Sequence, residues 1–222
     1  MMTTKETKGY IGIGMEGFIA DWYAKITLKN IDAFRADAKK IAAQLQRGAQ
    51  LLEVAPGPGY LAIELAKMGL YHVTGLDISA RFVEIAQQNA DQAGVGIDFR
   101  QGDASRMPFE AGSFDFIVCR AAFKNFSRPV DALNEMHRVL KPGGKALIID
   151  LRGDASEDDI NQEVLGMGLS PLNTWITKFT FKHSLIKRAY KRADFEQMAA
   201  QSAFGHATIT EDKIGLEVCL EK

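Results

Sequence analysis

Three carboxylates and two glycines stand where short apolar runs end. In Leu51-Leu52-Glu53-Val54-Ala55-Pro56-Gly57-Pro58-Gly59 the apolar run stops at a turn with two glycines and two prolines. Glycine lets a backbone approach a ligand where a Cβ would collide, and proline stiffens the turn, so Glu53, Gly57 and Gly59 are expected to form a nucleotide cradle. Asp77 closes the run Val73 to Leu76, where a carboxylate can accept hydrogen bonds from two vicinal ribose hydroxyls. The competing reading of Asp77 is an acid favoured by the dipole of the next helix. Asp103, in Gln101-Gly102-Asp103-Ala104, can accept from an adenine amino group or simply cap its own loop. Gly57-x-Gly59-x-x-Ala62 with Asp77 downstream also satisfies the dinucleotide fingerprint, so the turn alone leaves an NAD(P)-dependent oxidoreductase open.

These residues need elements to hold them. Leu51, Leu52 and Val54 have the density of a strand buried on both faces, and Tyr60 to Met68 follows as a helix. His72 to Leu76, Ile97 to Arg100 and Phe114 to Cys119 read as further strands, with helices from Ser79 to Ala93 and Pro129 to Leu140. Ser79 is a natural N-cap, and Lys141-Pro142-Gly143-Gly144 reads as a breaker launching a strand over Lys145 to Asp150. That alternation is the rhythm of a parallel α/β sheet. His206 to Thr210 and Gly215 to Leu220, separated by a polar turn, read as a closing hairpin. Two segments fall outside the rhythm: 10–47, helical in pattern with Phe18, Trp22 and Tyr23 close together, and 153–193. Both are expected to roof the carboxyl ends of the strands, where open α/β sheets bind ligands.

The totals narrow the partners. The 222 residues suffice for one sizeable core, and 27 basic against 28 acidic side chains leave no overall field favouring nucleic acid or an anionic membrane. Only local patches could do so. Cys119 and Cys219 are isolated, which fits reduced thiols in the cytoplasm and neither a disulfide framework nor a metal site. The polar start, Met1 to Lys8, lacks the apolar core of an export signal, and no run reaches the roughly 20 apolar residues of a membrane span.

Five ordered blocks strongly resemble the class I S-adenosylmethionine-dependent methyltransferases, especially the methyltransferase type 11 group and the quinone-biosynthesis C-methyltransferases. They are Leu52 to Gly59, Gly75 to Ser79, Gly102 to Ala104 with Met107-Pro108-Phe109, Phe114 to Val118, and Glu135 to Gly144. The resemblance covers 48–150 closely and implies S-adenosyl-L-methionine as cofactor and S-adenosyl-L-homocysteine as product. By position, Gly57 and Gly59 would face the methionine and ribose moieties and Asp77 would hold the ribose. Ile78 would pack on adenine, and Asp103 with Ala104 would bind its edge. Ala55-Pro56 departs from the usual pattern, which bears on how the methionine amino group is held. The run Cys119 to Phe126 lacks the Asn/Asp-Pro-Pro-Tyr signature of enzymes acting on flipped bases or glutamine amides. It carries Lys124-Asn125 where the quinone enzymes have an Arg-Asn pair.

Together the runs and the resemblance predict a doubly wound, mostly parallel seven-stranded sheet, a Rossmann-like methyltransferase fold with a terminal antiparallel hairpin. The expected organisation is a single domain: 1–47 a helical cover, 48–150 the cofactor-binding core, 151–193 a lid insertion, 194–222 the last helix and hairpin. Methyl transfer from a sulfonium is an in-line displacement, so alignment and exclusion of water can carry it, and a base is required only for a hydroxyl or carbon acid. Arg120 is expected to orient cofactor or acceptor and Asp150 to polarise the acceptor, with a structural ion pair as the other reading of each. Tyr23 would close over the methionine end or simply pack the cover. Of four histidines, His72, His137 and His206 read as structural, while His183 lies in the expected lid. That lid is basic, with Lys178, Lys182, Lys187, Arg188, Lys191 and Arg192 among aromatics. It suits a cover for a small partly apolar acceptor better than RNA, its aromatics filling a core being the bland reading. A scaffold that binds cofactor without transfer is the non-enzymatic alternative.

Overall fold

The computed structural model describes residues 9–11, 14–166, 175, 178 and 185–222. One seven-stranded sheet runs β3-β2-β1-β4-β5-β7-β6. Its strands are β1 (Gln50–Val54), β2 (His72–Asp77), β3 (Asp98–Gln101), β4 (Phe114–Arg120), β5 (Leu140–Leu151), β6 (Thr208–Glu211) and β7 (Gly215–Glu221). The first five pair in parallel, and β7 inserts antiparallel between β5 and β6. The order reverses between β1 and β4, which makes their carboxyl ends the crevice of the sheet.

Helices cover both faces because each presents one apolar stripe. Helix α3 (Tyr60–Ala66) buries Leu61, Ala62 and Leu65. Helix α4 (Ala80–Ala93) starts where Ser79 Oγ accepts from the Phe82 amide at 3.1 Å and stops at Gly94, whose φ of 69° suits glycine. Helix α5 (Pro129–Val139) opens on proline, whose missing N–H costs nothing there, and buries Leu133 and Met136. One core lies between the sheet and α5 with the helix Arg192–Gln201; the other lies under α2 (Ile31–Ala42) and α3. A smaller cluster fastens α1 (Gly17–Thr27) to α4 through Ala20, Ala24, Phe82 and Ile85.

The predicted start of β5 needs correction. The strand begins at Leu140, opposite Phe114, and the register then slips so that Phe116 faces Lys145. Pro142-Gly143-Gly144 is therefore a bulge inside the strand, not a breaker before it. The chain's last residue holds it: Gly143 N–H donates to the Lys222 carbonyl at 2.8 Å and Lys222 N–H to Gly144 at 3.0 Å. Gly143, at φ 76°, supplies the left-handed residue this kink requires. Within 151–193, the described residues include helix α6 (Glu157–Gly166) and a helical turn over Ile186–Arg188. His183 and Lys182, expected in the lid, lie outside the described residues.

Candidate active site

Glu53, Asp77, Ser79, Lys124 and Asp150 are the fully buried polar and charged side chains among the described residues, and all stand at the carboxyl edge of the sheet. Burying such groups costs several kcal/mol unless partners compensate, so their partners define the site.

Asp77 is held from two sides. Its Oδ2 accepts from the Gly57 amide at 3.0 Å and its Oδ1 from the Ser79 amide at 2.9 Å. Each oxygen keeps a lone pair that a further donor can use. Burial pushes its pKa up to about 6, against the pull of those two amides. Gly57 sits at φ 54°, and a Cβ there would find its nearest neighbours, atoms of Phe82, only at 4.0 Å. Its face toward the crevice is open. Gly59 differs: a Cβ would meet Phe99 at 2.9 Å and Ala86 at 3.0 Å, so this glycine lets α4 and β3 pack close to the turn. The sequence assigned both glycines to a ligand; the close packing at Gly59 is with the protein itself.

Glu53 is 2% exposed, and its Oε2 has no hydrogen-bond partner. Burial raises its pKa to about 8, opposed by the Ala62 amide and by Arg120. An orphaned carboxyl oxygen beneath a glycine turn fits a cationic or N–H-bearing group brought by a ligand. Ala55 lies beside it at φ 56°, and Ala121, at the end of β4, has φ 57°. Both hold left-handed backbone at strand ends without being glycine, a strain that functional sites tend to retain.

The remaining candidates are more occupied than expected. Arg120 Nε donates to Asp37 Oδ2 at 2.6 Å, and its guanidinium lies 4.2 Å from the Phe34 ring centroid. Both partners come from α2 and had no place in the sequence reading; the available signal was one acid, Asp37, beside the buried stripe Phe34, Ala38 and Ile41. Asp150 accepts from Lys124 Nζ at 2.6 Å, from the Lys124 amide at 3.1 Å and from Leu151 N–H at 2.8 Å. Lys124 Nζ also donates to the Ala121 carbonyl at 2.7 Å, closing the strained turn after β4. Asp150 is thus held in a buried ion pair with Lys124.

Asp103 Oδ1 accepts from the Ser105 amide and hydroxyl at 2.8 and 2.6 Å, and Oδ2 from Arg128 at 3.0 Å. Partial burial works to raise its pKa, but Ser105 and Arg128 outweigh it and hold the carboxyl below its ordinary value. Ile78 and Asp103 meet at Gly9, where an added Cβ would lie 2.5 Å from both. The N-terminal segment therefore walls the expected adenine position; Ile11 N–H bonds to Asn125 at 2.7 Å and Met15 accepts from Ser79 Oγ at 2.6 Å. Ala104 is half-buried against the α5-side core. Tyr23 packs edge-on to Phe82, and burial raises its pKa, with Arg120, Asp150 and Asp77 all within electrostatic reach.

A family described as a methyltransferase domain matches residues 52–148. A demethylmenaquinone methyltransferase of Deinococcus radiodurans is 36% identical over 123 residues, 55% of this chain and 50% of that protein. A ubiquinone/menaquinone biosynthesis C-methyltransferase of Bdellovibrio bacteriovorus is 41% identical over 106 residues, 46% of this chain and 44% of that protein. The chain spans about half the length of the curated relatives it matches. A solved structure of a putative S-adenosylmethionine-dependent methyltransferase from Methanococcus maripaludis shares the fold with a TM-score of 0.75 at 23% identity, covering 99% of this chain and 97% of that one. Over residues 52–148 the chain is similar to the methyltransferase domain family and to methyltransferases named for quinone biosynthesis, and its fold is that of the solved structure.

Proposed function

We propose that this protein transfers a methyl group from S-adenosylmethionine to a small, largely apolar acceptor, of which a reduced quinone ring carbon is the best-supported example. The observation that carries the reading is the pair of buried carboxylates beside one open glycine turn. Asp77 has spare lone pairs for ribose hydroxyls, and Glu53 has an orphaned oxygen for the ammonium group of the methionine moiety. The acceptor class rests on the printed names of the quinone-type relatives, which match only the core.

When bound, the cofactor supplies an electrophilic methyl on a sulfonium. The chain's own residues then bind, orient and exclude water. Gly57 leaves room for the bound nucleoside, Ile78 offers an apolar face, and Asp103 with Ala104 lines the adenine edge. Tyr23 and Arg120 bound the space over the ends of β1 and β4, where the acceptor would meet the methyl in line. A ring carbon becomes nucleophilic when its neighbouring hydroxyl loses its proton to solvent water, a loss that a nearby cation favours. The Lys124–Asp150 pair is the buried candidate: Lys124 would favour the deprotonated hydroxyl, and Asp150 would position Lys124. His183 remains a proposed participant from the sequence. We also read 1–222 as one methyltransferase domain with 1–47 as its cover and 151–193 as its lid, working in the cytoplasm. Support for the single domain comes from the solved relative aligned over 99% of the chain.

Thermal unfolding with S-adenosylhomocysteine, NADH and NADPH tests the cofactor directly, because a ligand that binds only the native state raises its stability. Stabilisation by the sulfur nucleotide alone is expected. Stabilisation by a dinucleotide alone would replace methyl transfer with redox chemistry on the same fold.

A further inference from the structure

Helix α1 is apolar on both sides. Its inner face, Ala20, Tyr23 and Ala24, packs on α4 beside the site. Its outer face exposes Phe18 (82%), Trp22 (54%), Ile26 (42%) and Ile19 (40%), with Leu28 (50%) just beyond its end. At 100° per residue Phe18, Trp22 and Lys25 fall on one stripe, with Lys29 continuing it. Of the acids of this region, Asp21 is paired with Arg81 Nη2 at 2.6 Å, and Glu16, before the helix starts, accepts from the uncharged Arg81 amide at 3.3 Å. Lys25 and Lys29 are exposed and, among the described residues, form no ion pair. Large aromatics flanked by unneutralised lysines on one helical face match the region where lipid headgroups meet acyl chains.

We propose that the outer face of α1 docks this protein on an anionic lipid bilayer. Aromatic and aliphatic side chains would enter the headgroup boundary, and Lys25 and Lys29 would meet lipid phosphates. Charge favours this occupant over a second copy of the chain, which would bring four unneutralised ammonium groups into one apolar contact. Docking would place the inner face, with Tyr23, within one helix diameter of the lipid. An apolar acceptor could then pass from bilayer to strand ends with little exposure to water. That purpose rests on the methyl-transfer reading; the docking itself does not. Among the described residues no helix is long and apolar enough to cross a membrane, so the contact is peripheral.

Co-sedimentation of the full chain with phosphatidylcholine vesicles, with and without phosphatidylglycerol, tests it. The protein is expected to pellet with the anionic vesicles at low salt and to be released at high salt. Phe18→Ser with Trp22→Ser should reduce bound protein about tenfold or more, and Lys25→Glu with Lys29→Glu should abolish the preference for phosphatidylglycerol. Both variants change exposed side chains, and unchanged stabilisation by S-adenosylhomocysteine would show that fold and cofactor site persist. Protein that stays in the supernatant with both vesicles, or variants that bind as well as the native chain, would overturn the proposal. So would a concentration-dependent dimer that the double serine variant makes monomeric in the absence of vesicle binding. Vesicle binding without cofactor stabilisation would instead leave the docking standing and remove the methyl-transfer reading.

Discussion

Asp77 and Glu53 are two buried carboxylates with different partners: two backbone amides hold Asp77, while one oxygen of Glu53 has none. In its proposed role Asp77 accepts two ribose hydroxyls as the carboxylate, and burial raises its pKa to about 6. Affinity for S-adenosylhomocysteine should therefore fall as pH drops below about 8, where Glu53 takes up its proton, and fall further through about 6, which calorimetric titration across that range checks. Asp77→Asn should weaken binding about tenfold to hundredfold and remove the step near pH 6, since each charge-assisted bond contributes about 1.5–3 kcal/mol. For the stability of the free protein both raised carboxylates act with the same sign, Glu53 over the wider pH window. With its folded pKa raised from 4.5 to about 8, its contribution to stability is full below pH 4.5 and is lost as pH rises toward 8. Glu53→Gln should accordingly raise the melting temperature, more at pH 8 than at pH 5. A variant no more stable than the native chain at pH 8 would mean Glu53 is compensated in the free protein. The sequence marked both positions, but it had no way to show that one carboxylate is cradled by amides and the other orphaned.

At the scale of elements, two strand ends carry the strain. Ala55 and Ala121 adopt left-handed backbone, which costs a residue with a Cβ roughly 1–2 kcal/mol. Ala121→Gly should be neutral to about 1 kcal/mol stabilising, because relief of strain is offset by the freer unfolded chain. Ala121→Val should destabilise by more than that, and chemical denaturation separates the two. The turn after β4 is closed by Lys124, whose ammonium bridges Ala121 and Asp150. Lys124→Met should destabilise by about 3–5 kcal/mol by leaving Asp150 buried and unpaired, and adding Asp150→Asn should restore part of it. If Lys124→Met unfolds no more easily than the native protein, the pair is not buried as described. Strand and helix periodicity made β1, β2, α4 and the hairpin legible almost to the residue. The start of β5 was not, because Pro142-Gly143-Gly144 has breaker chemistry, and bonds to the distant Lys222 with pairing to β4 on either side of it hold it in the sheet.

Across the whole molecule, the fold follows from alternation of runs and turns, and the cofactor side of the site follows from residues adjacent to strand ends. The acceptor side depends on contacts far apart in sequence. Arg120 meets Asp37 across 83 residues, and Gly9 meets Ile78 and Asp103 only when the N-terminal segment lies over the crevice. No local pattern encodes those meetings, so the helical cover was foreseen as a roof but its grip on Arg120 was not. The same cover presents Tyr23 inward and Phe18 and Trp22 outward, which joins the site to a surface suited to lipid. The most direct test of the account is transfer of label from methyl-labelled S-adenosylmethionine to a reduced short-chain demethylated naphthoquinone, followed by extraction of the quinone and quantification of S-adenosylhomocysteine. The account predicts labelled carbon in the extracted ring and one S-adenosylhomocysteine per methyl transferred, both lost in Asp77→Ala. Turnover of the quinone that requires NADPH and proceeds without S-adenosylmethionine would contradict it.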